Sequence, residues 1–439
     1  MIIISKNLLW RFIVSIFFLS SLITASLDAN ETVITPITLA TLLKNTLDKN
    51  SNLKSARLLE KIADDRKVIT KAALLPTIGF YASQGWEHYP PENEYNNNRN
   101  LPSSIGINAS IPIFNKALHQ NYQREEVNKN ISTLEVQRER QAAVAEISSV
   151  YIELLSAYEQ ESVNKKSLKS MEGYLEAFNK RFHLGDATKT DIKNLESKFS
   201  IIRSKWLTSL ALIEEKRSLF LTITLSEPPT GSRAMRLPQI KNEALKISTR
   251  DNLEVKILQE RIHADEITVA TQRAGHWPKL NLQGTLSRSW YETFHQVNNN
   301  RNDISVEIRL EFPIFNGYAV SAGVNESIKR KMITNVALEY VGRDNTNKEK
   351  RLLQQLQLLS TSKKELERAV THAQMARSGI LTQFQSGTRT TLDILNAQDI
   401  LFEAESALIQ NRYQLLKTQL EYLQIIGRLS ADAFVEEGV

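Results

Sequence analysis

One tract occurs twice in this chain, and the duplication limits what it can fold into. Asn96-Asn97-Asn98-Arg99-Asn100 returns 202 positions later as Asn298-Asn299-Asn300-Arg301-Asn302, and Pro76/Pro278, Gly185/Gly387 and Asp191/Asp393 keep that spacing. Ile111-Pro112-Ile113-Phe114-Asn115 returns as Phe312-Pro313-Ile314-Phe315-Asn316 at a spacing of 201, one residue fewer. Two copies of a unit this large make one body built twice, although length alone allows two or three separate domains. The expected division is a signal peptide over 1–29, a first repeat over 30–227, a linker over 228–243, a second repeat over 244–428 and a C-terminal tail over 429–439. The first segment reads as secretory because Lys6 and Arg11 precede an apolar run from Phe12 to Leu22, and small residues follow at Thr24, Ala25, Ser26 and Ala29. That run is short for a spanning helix, which needs about 20 apolar residues.

Proline divides the rest. All 11 prolines lie outside Ile113–Glu227 and Ile314–Val439, and proline breaks helix interiors by removing a hydrogen bond and clashing with the preceding turn. Apolar columns spaced by seven run through the same stretches: Ile192, Phe199, Trp206, Ile213 and Phe220; Leu352, Leu359, Leu366, Ala373 and Ile380; and the adjacent columns Ile394–Tyr422 and Leu395–Leu423. Sustained sevens predict long helices in coiled-coil packing, and two columns side by side predict a helix with neighbours on two sides. Gly185 and Gly387 sit between such stretches and are expected at hairpin tips, since glycine readily takes the left-handed turn that ends a helix.

Between the helical stretches the period changes to two. Ile304, Val306, Ile308, Leu310 and Phe312 alternate with Ser305, Glu307, Arg309 and Glu311, and shorter alternations surround Ile78, Ile107 and Leu282. Strands are predicted at about 77–89, 102–112, 279–292 and 303–313, each pair joined by an asparagine-rich loop. Trp86, Tyr89 and Tyr95, or Trp290, Tyr291 and Phe294, flank those loops as aromatics do at the interfaces of an outer-membrane barrel. Four strands cannot close a barrel, and lipid does not tolerate open edges, so the barrel must be shared between chains. Three chains would supply twelve strands, an even number of the kind such barrels use. Glu307, Arg309 and Glu311 are then expected to face the barrel lumen.

The second tip reads Phe384-Gln385-Ser386-Gly387-Thr388-Arg389-Thr390-Thr391-Leu392-Asp393-Ile394-Leu395-Asn396-Ala397-Gln398. With the duplication and the two strand ends before Asn115 and Asn316, it resembles the periplasmic tip of the TolC-like outer-membrane efflux family. The resemblance implies an α+β membrane protein: a trimeric 12-stranded outer-membrane barrel continued by a periplasmic helical tube. It also implies an entrance gate in which Arg389 links to Thr190 and Asp191 of the first-copy tip and Asp393 forms a charged ring. Two positions depart from the family pattern. Phe384 lacks the hydroxyl of the usual tyrosine, and Asn396 stands where a second aspartate is usual, so the lock is expected to rest more on Arg389 and the constriction to carry less negative charge. A periplasmic adaptor and an inner-membrane ABC or RND pump are the implied partners, docking at the tips around Gly185 and Gly387.

Little else in the chain points to chemistry. There is no cysteine, so disulfides, thiolate metal sites and an acylated N-terminal cysteine are excluded. The net charge of +6 comes without a lysine–arginine block, so nucleic acid is not an expected partner. His263, Asp265 and Glu266 do not share a helix face well and read as a solvated surface. No cofactor and no catalysis are expected. The missing lipid-modified cysteine argues against the acylated multidrug and metal-efflux branch, and type I protein secretion is slightly favoured over small-molecule efflux. The competing class is a periplasm-spanning coiled coil without a pore, which accounts for the sevens but not for the alternating strands.

Overall fold

The computed structural model describes residues 37–88, 99–184, 187–241, 252–293, 300–386 and 388–435. The expected signal segment, Gly185, Gly387, Tyr89, Tyr95, Phe294 and the side chain of Tyr291 lie outside them. Seven α-helices organise the described chain: α1 (Leu39–Thr46), α2 (Ser51–Ala72), α3 (Lys116–His183), α4 (Lys189–Thr224), α5 (Leu253–Arg273), α6 (Ala319–Gln385) and α7 (Thr391–Ile425). The strands are β1 (Thr77–Gln84), a short β2 (Glu87–His88), β3 (Arg99–Phe114), β4 (Lys279–Thr293) and β5 (Arg301–Glu311). No described helix is long and apolar enough to cross a membrane.

The long helices fall in the proline-free stretches. The 68 residues of α3 and 67 of α6 each extend about 100 Å at 1.5 Å per residue. Gly342 does not interrupt α6. Asparagine side chains cap three helices: Asn50 accepts from Leu53, Asn115 from Leu118 and Asn252 from Val255, which satisfies backbone donors that the first turn leaves free.

The sheet is antiparallel in the order β1-β3-β4-β5, with β2 paired to β3. Its register lines up whole rows of like residues. Phe80, Ile107, Leu286 and Ile304 form one row, and Ile78, Ala109, Gly284 and Val306 the next; Ile111, Leu282 and Ile308 follow. The opposite face carries Gly79, Asn108, Thr285 and Ser305 in one row and Thr77, Ser110, Gln283 and Glu307 in another. Small residues keep that face open, and a Cβ on Gly106 would stand 2.8 Å from the Tyr81 ring. The apolar face is exposed in the single chain, reaching 80% at Ile304. A water-soluble sheet would cover such a face.

β1, β3, β4 and β5 are each continuous with a helix, so the helices repeat the order of these strands. Beside the sheet α2, α3, α5 and α6 pack as a row, and farther away α4, α3, α7 and α6 do so. Midway along α3 its packing against neighbours is densest. Tyr151, Ile147 and Leu154 are fully buried there, packed with Leu43, Met235, Leu423 and Phe434. Residues 228–241 and 429–435 are knit into this belt by bridges Ile37–Met235 and Ile240–Phe434. The Tyr151 hydroxyl lies 2.7 Å from the carbonyls of Ile37 and Arg236 and accepts the Arg236 N–H at 2.9 Å. Burial pushes its phenol up to about 12.

One flank of the row is bare. Whereas α3 buries residues along its length, α6 buries only Ser327, Leu352 and Ala373 among its described residues. Of its column of sevens, Leu359, Leu366 and Ile380 stay half-buried. Met332, Ile333, Val336 and Tyr340 are exposed on α6, as are Leu58, Leu59, Val68 and Ile69 on α2 at the opposite flank.

Candidate functional site

The two helices that follow the hairpin tips start the same way. α4 starts at Thr188, whose hydroxyl accepts the Asp191 N–H at 3.1 Å while Asp191 Oδ2 accepts the Thr188 N–H at 3.1 Å. α7 starts at Thr390, with the Asp393 N–H donating at 3.4 Å and the Thr390 N–H donating to Asp393 Oδ2 at 2.9 Å. These are reciprocal capping boxes, Thr-x-x-Asp, each satisfying two donors. The duplicated aspartates therefore have a local structural role that recurs with the repeat. The Thr390 N–H and hydroxyl, in that order, and then the Arg389 charge hold the Asp393 carboxyl below its usual pKa.

Around this cap the other tip residues take definite places. Arg389 is exposed and its Nε donates to Gln383 Oε1 at 3.1 Å, inside its own tip. Among the described residues of one chain it makes no bond to Thr190 or Asp191. Thr190 and Asn396 are exposed. Phe384 packs inward, stacked on Phe178 of α3 at 5.1 Å, and Arg181 lies over its ring at 4.6 Å. Without a hydroxyl, Phe384 is held by aromatic and cation–π contact.

The residues that tie the two hairpins together were missed in the sequence. Arg377 of α6 donates to Gln398 Oε1 of α7 at 2.6 Å and reaches Ser170 and Tyr174 of α3 at 3.4 and 3.3 Å. Lys198 of α4 meets Asp399 of α7 at 2.5 Å. Beneath them Met171, Phe178, Leu195 and Leu395 bring three helices into one small core. No sequence signal marks Arg377, because its α3 partners lie more than two hundred positions away. The capping boxes did have one, the repeated Thr-x-x-Asp before an apolar run.

On the polar face of the sheet, charge is concentrated on β5. Arg309 donates to both carboxylate oxygens of Glu307, at 3.0 and 3.3 Å, and Arg301 pairs with Asp303 at 2.6 Å. Glu311 stands opposite Lys279 in the register. The same face of β1 and β3 presents residues such as Thr77, Ser83, Ser104 and Asn108. A polar face with paired charges, backed by an apolar face, is what a barrel wall between water and lipid needs. Among the described residues no group of His, Cys, Asp and Glu is arranged to hold a metal ion.

Comparison with known proteins matches residues 42–200 and 249–428 to the family described as outer membrane efflux protein. The two matched segments lie within the expected repeats at 30–227 and 244–428. The outer membrane efflux protein BepC of Brucella suis biovar 1 (strain 1330) is 22% identical over 402 residues, covering 90% of this chain and 86% of its own. The outer membrane protein TolC of Escherichia coli (strain K12) is 22% identical over 399 residues, covering 85% and 80%. Other relatives carry secretion in their names, such as the alkaline protease secretion protein AprF of Pseudomonas aeruginosa, 20% identical over 80% of this chain and 76% of its own. Among solved structures, the outer membrane protein VceC of Vibrio cholerae superposes with a TM-score of 0.78 at 16% identity, covering 89% of this chain and 96% of that one.

Proposed function

The chain belongs to the outer membrane efflux protein family, whose members are outer-membrane channels working as homotrimers with periplasmic adaptors and inner-membrane pumps, and we propose that this chain is the export duct of such a system. Three sheets close edge to edge, β5 of one chain against β1 of the next, with the apolar rows toward lipid and the β5 charges toward the lumen. The helices continue the barrel as a periplasmic tube. The observation that carries this reading is the sheet itself: among the described residues it has two open edges and an uncovered apolar face, and β1, β3, β4 and β5 are each continuous with a helix. Lipid admits strands only as closed barrels. Conductance across planar bilayers tests it. The duct gives discrete pore openings, and a periplasmic scaffold without a pore gives none.

At the far end the tips form the gate and the docking surface. Three copies of Asp393 face one another around the axis, and like charges held close in a narrow bore attract cations. Arg389 reaches from its tip to Thr190 or Asp191 of a first-copy tip, exchanging its Gln383 bond for a charge-assisted one. The turns around Gly185 and Gly387 receive the adaptor, and an ABC or RND pump supplies the energy. For the cargo we infer a polypeptide leaving by type I secretion, supported by the absence of any cysteine for lipid attachment and by relatives such as AprF. A strain lacking the chain should retain a secreted protein inside the cell. Unchanged secretion with heightened sensitivity to dyes and detergents would instead assign it to small-molecule efflux.

A further inference from the structure

The four places where strands meet helices form a collar just below the apolar rows, and its composition is one-sided. Residues 68–75, 115–122, 270–278 and 312–325 contain no Asp or Glu, yet they carry Lys71, Lys116 and Arg273 together with His119 and His276. Elsewhere the helices pair their charges freely, Lys67 with Glu126 and Lys331 with Glu266 for example. Among the described residues no carboxylate pairs with Lys71, Lys116 or Arg273. Lys71, Arg273 and His276 are exposed in the single chain.

The collar also carries the aromatics expected at a membrane interface. Trp277 meets Phe114 at 6.2 Å, and Lys116 Nζ lies 3.9 Å above the Trp277 ring. Phe315 and Tyr318 stand edge to face at 5.6 Å. Tyr318 is 75% exposed and its backbone is left-handed, with φ 64°. A bulky residue held in that conformation is a marked outlier, and in the single chain it leaves the ring uncovered at the level where an interfacial ring sits. The levels coincide, since Phe114 lies opposite Leu280 in the sheet and Gly275 abuts Val320 of α6.

Together these features lead us to propose that the collar binds anionic phospholipid of the periplasmic leaflet, with Lys71, Lys116 and Arg273 holding headgroup phosphates and Trp277 and Tyr318 fixing the depth. This rests on the sheet lying in the outer membrane, and not on what the duct carries or how its gate works. Unpaired cations beside a membrane are drawn to anionic headgroups over a distance set by screening. The Lys116–Trp277 stack places one of them at the interface.

The test uses the full-length trimer reconstituted in phosphatidylcholine vesicles, with Trp86→Phe and Trp290→Phe to leave Trp277 as the fluorophore at the membrane. A minor fraction of lipid is brominated, either phosphatidylglycerol or phosphatidylcholine. Bromine quenching should show phosphatidylglycerol enriched about five-fold at Trp277 in low salt, the factor expected of one basic side chain near the surface. High salt should abolish the enrichment, and so should Lys71→Gln/Lys116→Gln/Arg273→Gln. Equal quenching by both lipids, or enrichment unchanged by salt, overturns the proposal. So does preferential quenching by brominated lipopolysaccharide, which would place the surface in the outer leaflet. The salt comparison needs no collar variant and stands even if the triple variant fails to assemble. Normal conductance together with equal quenching would overturn the collar alone, leaving the duct intact.

Discussion

At the scale of a single residue Asp393 caps α7 and, in the gate proposed above, carries a charge, and substitution can separate the two. As the N3 member of a capping box it shapes the first turn of α7; in the proposed gate it would also be one of three carboxylates that set a field around an axis. Thr390→Ala removes the cap, worth about 1 kcal/mol, but keeps the charge, whereas Asp393→Asn removes the charge. Cation selectivity in bilayers should survive the first change and fall with the second. If both variants keep wild-type selectivity, Asp393 is a helix cap and not a filter. The carboxyl's lowered pKa gives a pH dependence of definite sign. A carboxyl more acidic in the folded tip than in the open chain stabilises the fold above its ordinary pKa of about 3.9, and the contribution disappears as pH falls through the folded value. Amide protection over 391–396 should therefore drop in acid and stay flat between pH 5 and 7. Arg377→Ala is expected to loosen both hairpins by about 2 kcal/mol through loss of charged hydrogen bonds and to raise conductance. An unchanged pore would make Arg377 a surface contact.

At the scale of elements, the alternation in β5 decides which side of the wall a residue meets. A charge on the lipid side costs about 2–4 kcal/mol at mid-membrane, and lumenal changes are tolerated. Ile308→Lys should lower the trimer yield on semi-native gels while Glu307→Lys leaves it near wild type, although it sets two cations side by side with Arg309. Matching yields would mean that the faces are assigned backwards or that the sheet lies outside the membrane. The strands and long helices were legible because periods of two and of seven survive in a single sequence. The ends of the helices were less so. The Thr-x-x-Asp boxes are present in the sequence at both tips, but an aspartate there serves equally as a cap or as a free charge, and only the hydrogen bonds distinguish the two. Arg377 left no local trace at all, since a cross-helix bond depends on which helices become neighbours.

For the whole molecule, the bare flanks set the state in which it exists. Among the described residues of one chain the outer edges of β1 and β5 lack partners, and the apolar side chains of α2 and α6 lie open on the same two flanks. Unpaired edges and exposed apolar stripes both drive association. The detergent-extracted protein should be a trimer throughout the range in which it is folded, dissociating and unfolding together. A monodisperse folded monomer in light scattering would end the shared-barrel account.

The sequence by itself determined that the body is duplicated, that its helices are long, that its strands have one apolar and one polar face, and that the strands of one chain are too few to close. Those are consequences of periodicity and proline placement, which act over neighbouring residues. Tertiary structure alone decided that α3 is the central helix and α6 the bare one, that 228–241 and 429–435 join in a belt around Tyr151, and that Arg377 links three helices. It also decided that Lys116 lies over the ring of Trp277, which is far from it along the sequence. Such arrangements follow from which elements pack side by side, and a burial choice made between residues two hundred positions apart leaves no pattern in either local stretch.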